Sequence, residues 1–205
     1  MRTITGLFDS HDQAEQAVRA LRDAGISSDD ISIVANNAEG RHGADDSDSV
    51  AEGAGAGAGV GAVVGGTGGL LAGLGMLAIP GVGPVVAGGW LIATAIGAVT
   101  GAAVGGAAGG IIGALTEAGV DERDAHVYAE GIRRGGTLVT ARVDDNRADA
   151  AAAILRHANH VDIEARRRDY EAEGWEGFDE NSEPYQPDQI RDYRAGLVPP
   201  PVFRN

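Results

Sequence analysis

The stretch whose reading decides this chain is residues 53–116, GAGAGAGVGAVVGGTGGLLAGLGMLAIPGVGPVVAGGWLIATAIGAVTGAAVGGAAGGIIGALT. No residue between Glu52 and Glu117 is charged. Gly57, Gly61, Gly65, Gly69 and Gly73 stand four apart. Beyond the break Pro80-Gly81-Val82-Gly83-Pro84 the period returns at Gly89, Ala93, Gly97, Gly101, Gly105, Gly109 and Gly113. Residues i and i+4 are neighbours on a helix surface. The spacing therefore predicts two helical arms over 53–117, each with a groove free of side chains, packing closely as small-xxx-small helices do. Pro80, Gly81, Gly83 and Pro84 form the predicted tip, with Trp90 close behind it.

Such a hairpin needs cover, because each glycine in a water-exposed helix interior costs about 1 kcal/mol relative to alanine. Two covers suit the pattern. Lipid is one: residues 53–79 and 85–116 both exceed the about 20 apolar residues that span a bilayer core, and Leu70, Leu71, Leu74, Leu77, Trp90 and Leu91 gather near the tip. A shared apolar core in a homo-oligomer is the other. The flanking acids (Asp45, Asp46, Asp48, Glu52, Glu117) argue against lipid, since basic residues are expected there. The expected partners are thus the chain itself and membrane lipid, at the cytoplasmic membrane with the rest of the chain facing the cytoplasm. A soluble cytoplasmic assembly is the alternative.

Outward from this run the patterning is that of a globular α/β protein. Ile4, Gly6 and Phe8 alternate as in a short strand. Ser10 and Gln13 have capping-box spacing, ahead of a helix carrying Ala14, Ala17, Val18 and Leu21 and stopped at Gly25. Residues 31–35 read as a second strand, and 37–52 as an acidic linker. After the run, Asp121 caps a helix bearing Ala125, Tyr128, Ala129 and Ile132, and Gly135-Gly136 ends it. A strand over 137–143, a helix capped by Asp145 and a last strand at Val161–Ile163 follow. Residues 166–205 read as an acidic tail whose aromatics, Trp175 and Phe178 foremost, suit docking into a groove. The expected fold is α+β: a ferredoxin-like four-stranded antiparallel sheet with helices on one face, split by the hairpin. Its module comprises residues 1–36 and 118–165.

Residues 3–36, TITGLFDSHDQAEQAVRALRDAGISSDDISIVAN, and 119–145, GVDERDAHVYAEGIRRGGTLVTARVDD, resemble the two halves of the bacterial general stress protein 17M-like (heat-induced stress protein) domain. The words Gly6-Leu-Phe-Asp-Ser10, Asp29-Asp-Ile-Ser-Ile33, and Tyr128-Ala-Glu-Gly131 before Gly135-Gly136 carry the resemblance. It implies stress association and a small α/β module, and brings no catalytic residues with it.

The chemistry of the remaining residues excludes more than it suggests. A net charge of −14 repels a phosphate backbone, so nucleic acid is not an expected partner. With no cysteine, thiolate chemistry and disulfides are ruled out, and a reducing compartment is suited. The N-terminus lacks the pattern of a secretory signal. Gly53-Ala-Gly55-Ala-Gly57 mimics a dinucleotide loop, yet an acidic linker precedes it and no ribose-binding acid follows. His157 and His160 lack a third metal ligand. Asp9, Ser10 and His11 are adjacent and cannot converge as a triad. Arg166-Arg-Arg168 reads as a solvated charge run answered by Asp169, Glu171 and Glu173. No enzyme, cofactor, metal site or small-molecule substrate is expected.

Overall fold

The computed structural model describes residues 1–40, 75–92, 94 and 110–196. Ladder positions Gly57, Gly61, Gly65, Gly69, Gly73, Gly97, Gly101, Gly105 and Gly109 lie outside them.

The sequence-predicted first strand, helix and second strand form as β1 (Arg2–Phe8), α1 (His11–Asp23) and β2 (Ile31–Asn36). Ser10 Oγ accepts from Gln13 N at 3.3 Å and starts α1, and Gly25 at φ +81° follows its end. Residues 75–92 depart from expectation. In place of two helical arms, β3 (Gly75–Ile79) and β4 (Gly83–Gly88) form a β-hairpin. The turn is where the sequence puts it: Val82 N donates to Ile79 O at 3.1 Å, and Gly81 and Gly83 adopt φ +72° and +98°. β4 then pairs antiparallel with β2, Ile33 opposite Gly88 through Asn36 opposite Val85. The physical reason is an open ladder on β2, whose backbone groups must find partners when buried. The β-branched, glycine-interrupted residues 79–88 meet that need better than a helix would.

Helices α2 (Gly110–Glu117) and α3 (Glu122–Arg133) return the chain to β5 (Thr137–Val143), which pairs with both β1 and β2. The sheet order is β1-β5-β2-β4-β3, antiparallel at every step. Asp145 opens only a 3-10 turn, and α4 (Ala148–His157) starts after it. The expected strand at Val161–Ile163 is absent. One bond remains of it, Val161 N to Leu7 O at 2.7 Å. Asp162 then accepts from Ala165 N at 3.0 Å and starts α5 (Ile163–Ala172). An N-cap followed by Glu-Ala-Arg-Arg-Arg favours a helix over a strand.

The sheet has cover on both faces, not one. On the first face Phe8, Ile31, Ile33, Val139 and Ala141 pack with Leu21 of α1 and Leu155 of α4. On the second, Leu7, Val34, Val85, Ala87 and Leu138 pack with Leu115 of α2, Ile132 of α3, and Tyr170, Trp175 and Phe178. Residues 166–196 are therefore part of the fold, where the sequence suggested a tail. They contain most of α5, a connecting strap, and α6 (Pro187–Arg194).

Candidate functional site

The second face gathers the chain's unusual chemistry at the C-terminal end of α3. Glu130 is wholly buried, and Arg133 and Arg134 are each only 2 % exposed. Their i, i+3 and i+4 spacing puts both guanidinium groups on the one carboxylate. Arg134 Nε donates to Glu130 Oε1 at 2.7 Å, and Arg133 Nη1 to Oε2 at 3.4 Å. Burial alone would make the Arg134 guanidinium easier to deprotonate. The charge of Glu130 and the hydrogen bonds Arg134 donates to Glu130 and Glu173 outweigh it and hold Arg134 above its ordinary range.

Both arginines then reach the strap. Arg134 Nη1 donates to Glu173 at 2.5 Å and its guanidinium lies over the rings of Tyr170 (4.0 Å) and Tyr193 (5.2 Å). Arg133 Nη2 donates to Glu183 O at 3.0 Å and stacks 4.8 Å over Tyr185. Cation–π contacts of this kind strengthen as water is excluded. His126, one α3 turn earlier, accepts the Phe178 amide on Nδ1 at 3.1 Å.

A hollow of about 380 Å³ lies beside this cluster, lined by Arg134, Arg166, Arg194, Asp9, Tyr193 and the glycines Gly131, Gly135 and Gly136. Three guanidinium groups in an acidic protein suggest an anion site, but each already holds a carboxylate. Arg134 has Glu130 and Glu173; Arg166 grips both oxygens of Asp9, at 2.9 and 2.8 Å; Arg194 donates to Glu39 at 2.8 Å and to Gly135 O. The hollow is a junction of ion pairs that tie α5 to the end of β1, α3 to the end of α5, and α6 to the segment after β2. Its glycines have packing roles: a side chain on Gly131 would collide with Leu7, and one on Gly136 would lie 2.7 Å from Gly131 O.

The strap also crosses the β3–β4 turn. A Cβ on Gly81 would fall 2.7 Å from Asp179 O and 2.9 Å from the Phe178 ring, and one on Gly83 would fall 2.8 Å from Pro184 Cβ. The hairpin tip and the aromatic segment, far apart in sequence, are thus one site. Pro80 and Pro84 are exposed at it, while Val82 and Val85 are buried beneath. Trp175 and Phe178 are buried within the same chain, at 8 % and 7 % exposure. Trp90 donates its indole N–H to Asp30 O at 3.1 Å, under the Arg142 guanidinium. Gly89, read as a helical ladder position, sits at φ +96° where β4 leaves the sheet, with Ile31 O and Ser32 against it. Gly113 does lie in a helix, α2.

The buried Glu130–Arg133–Arg134 cluster went unnoticed in the sequence, although its spacing is visible there. Burial, which no spacing reveals, makes it consequential. His157 is exposed and bonds Ala153 O, and among the described residues no group of three or more His, Cys, Asp or Glu is placed to hold a metal ion. No described helix is long and apolar enough to cross a membrane.

An α+β module with a sheet clad on both faces and ion pairs at its junctions defines the class of protein. Residues 3–79 match the family model of the heat induced stress protein YflT domain. Over that segment the chain is similar to this stress-protein domain, which suggests stress association. The match runs through the acidic linker and the first glycine ladder to the end of β3, whereas residues 118–165, which resemble the family in their motifs, fall outside it. No curated protein and no solved structure matches the chain.

Proposed function

We propose that this is a non-catalytic, stress-associated protein that acts by self-association through its glycine-laddered run. One observation carries the reading. No residue between Glu52 and Glu117 is charged, and glycine recurs every fourth position at Gly57–Gly73 and again at Gly97–Gly113. Uncharged ladders of this kind suit close backbone packing against like surfaces. The charged groups near the hollow already pair with one another, so the module offers little for acid–base chemistry.

The run's uncharged length favours a second reading, insertion of the ladders into the cytoplasmic membrane. The tip residues Val82, Val85, Leu91 and Ile92 are not available for that role while they lie buried in the module.

Gly65→Leu combined with Gly101→Leu tests both readings. Light scattering of the detergent-free protein should fall from a multimer to a monomer, with the far-ultraviolet circular dichroism of the module kept. A particle of unchanged size would remove the self-association reading. Flotation with phosphatidylglycerol vesicles, lost in the same variant, would favour insertion.

A further inference from the structure

The carboxylates that hold the hollow's three arginines are not equally committed. Glu130 is wholly buried, and Glu173 and Glu39 are mostly covered. Asp9, the partner of Arg166, is 63 % exposed, and it is the one acid among the described residues that line the hollow. The lining thus sets three guanidinium groups, from the end of α3, from α5 and from α6, against a single carboxylate. Asp9 lies between β1 and Ser10, the N-cap of α1, and accepts both its bonds from the Arg166 fork, at 2.9 and 2.8 Å. Water reaches this carboxylate, so the pair contributes little to stability and another anion can take its place.

We infer that the hollow is a binding site for a phosphate group, inorganic or terminal on a small phosphomonoester, and that Asp9 is the internal carboxylate this group displaces. A phosphate oxyanion reproduces both bonds that Asp9 accepts, because the guanidinium fork fits phosphate as it fits carboxylate. A planar carboxylate has then spent its oxygens. A tetrahedral dianion has others left for Arg194 and Arg134, which line the hollow from different elements, and it brings a second negative charge to a lining rich in positive charge. Arginine keeps its proton at any working pH, so the attraction does not fade. A volume of about 380 Å³ lies in the range of small-ligand sites and leaves room for a short organic substituent. Gly135 helps to open the site: a Cβ there would fall 3.1 Å from Nε and Nη2 of Arg194 and crowd that guanidinium. The chain's net charge of −14 opposes any anion at long range, which keeps the affinity modest. No residue of the glycine ladders takes part, so the site stands or falls apart from the proposed self-association.

Calorimetric titration of the full chain with inorganic phosphate, in a phosphate-free buffer and against chloride of matched ionic strength, tests the site. Binding is expected, tightened about tenfold by Asp9→Asn, which takes the competing charge off the Arg166 fork, and weakened at least about tenfold by Arg166→Gln. Arg194→Gln removes a donor from another wall and should also weaken it, so a folding defect in one variant, read by circular dichroism, does not decide the matter. Asp145→Asn removes the same charge from an exposed acid outside the lining and should leave the affinity within about twofold. No binding by either the native chain or Asp9→Asn at about 10 mM phosphate would overturn the inference. So would equal tightening by Asp9→Asn and Asp145→Asn, or binding that survives both arginine substitutions. Glycerol 3-phosphate and phosphatidic acid vesicles then separate the sources. A gain in affinity over inorganic phosphate that Arg166→Gln abolishes marks a soluble phosphomonoester. Sedimentation with the vesicles, lost in the same variant, marks a lipid headgroup, and neither result leaves inorganic phosphate as the ligand.

Discussion

The two faces of the sheet are built by different means. On the first, α1 and α4 lay small aliphatic side chains on Phe8, Ile31, Ile33 and Val139, with no buried charge among them. Both helices are close in sequence to strands they cover. On the second face the cover comes from α2, α3, the strap and the hairpin, brought together across long sequence separations around a wholly buried Glu130. The first face is held by shape and exclusion of water. The second adds a charge network that tolerates no missing partner.

Glu130→Ala should break the comparison hardest. It takes the shared carboxylate from two guanidinium groups that are each 2 % exposed, and urea unfolding should show a loss of about 3–5 kcal/mol. Leu155→Ala on the first face should cost about 2–5 kcal/mol from a cavity alone, with the strap still protected in hydrogen exchange. A strap that exchanged freely in that variant would mean the two faces are not independent. Gly89→Ala decides by its sign. In a helical arm it would add about 1 kcal/mol of stability; at φ +96° against Ile31 O it should cost about 1–3 kcal/mol, read as a lowered Tm.

Alkali should sharpen the contrast more gently. Burial pushes the Tyr185 hydroxyl up to about 12, and burial raises Tyr170 and Tyr128 further. The folded state thus prefers the protonated phenol. Its contribution is complete below the unfolded value near 10 and is lost as pH climbs from there towards 12. The fluorescence of Trp175, packed edge-on to Tyr170 at 5.6 Å, should report loosening of the strap across that window. Circular dichroism of α1 and α4 should change later. Smallest of all, Asp9→Asn should cost under about 1 kcal/mol, because the carboxylate it replaces is 63 % exposed despite its two bonds from Arg166.

Much of the first face, and α3 on the second, was legible in the sequence. Period-two and period-four apolar spacing, Ser10 and Asp121 as caps, and Gly25 and Gly135 as stops are local signals, and local physics answers them. The turn at Pro80–Pro84 was equally plain, since proline and glycine dictate a reversal whatever flanks them. The flanks were not. A glycine period of four fits a helix, but an unpaired β2 edge outweighed that preference at residues 75–88. At Val161–Ile163 the reverse happened, and a cap at Asp162 overrode a short apolar alternation.

By itself the sequence determined β1, α1, β2, α3 and β5, the turn at Pro80–Pro84, the charge-free run and the absence of thiol chemistry, because these depend on residues close along the chain. Only the tertiary structure decided that Tyr170, Trp175 and Phe178 of the acidic C-terminal segment join the core, that Glu130 is buried between two arginines, and that Phe178 lies by the tip of a hairpin. Desolvation and strand pairing join residues scores of positions apart, and such terms have no signature in local spacing.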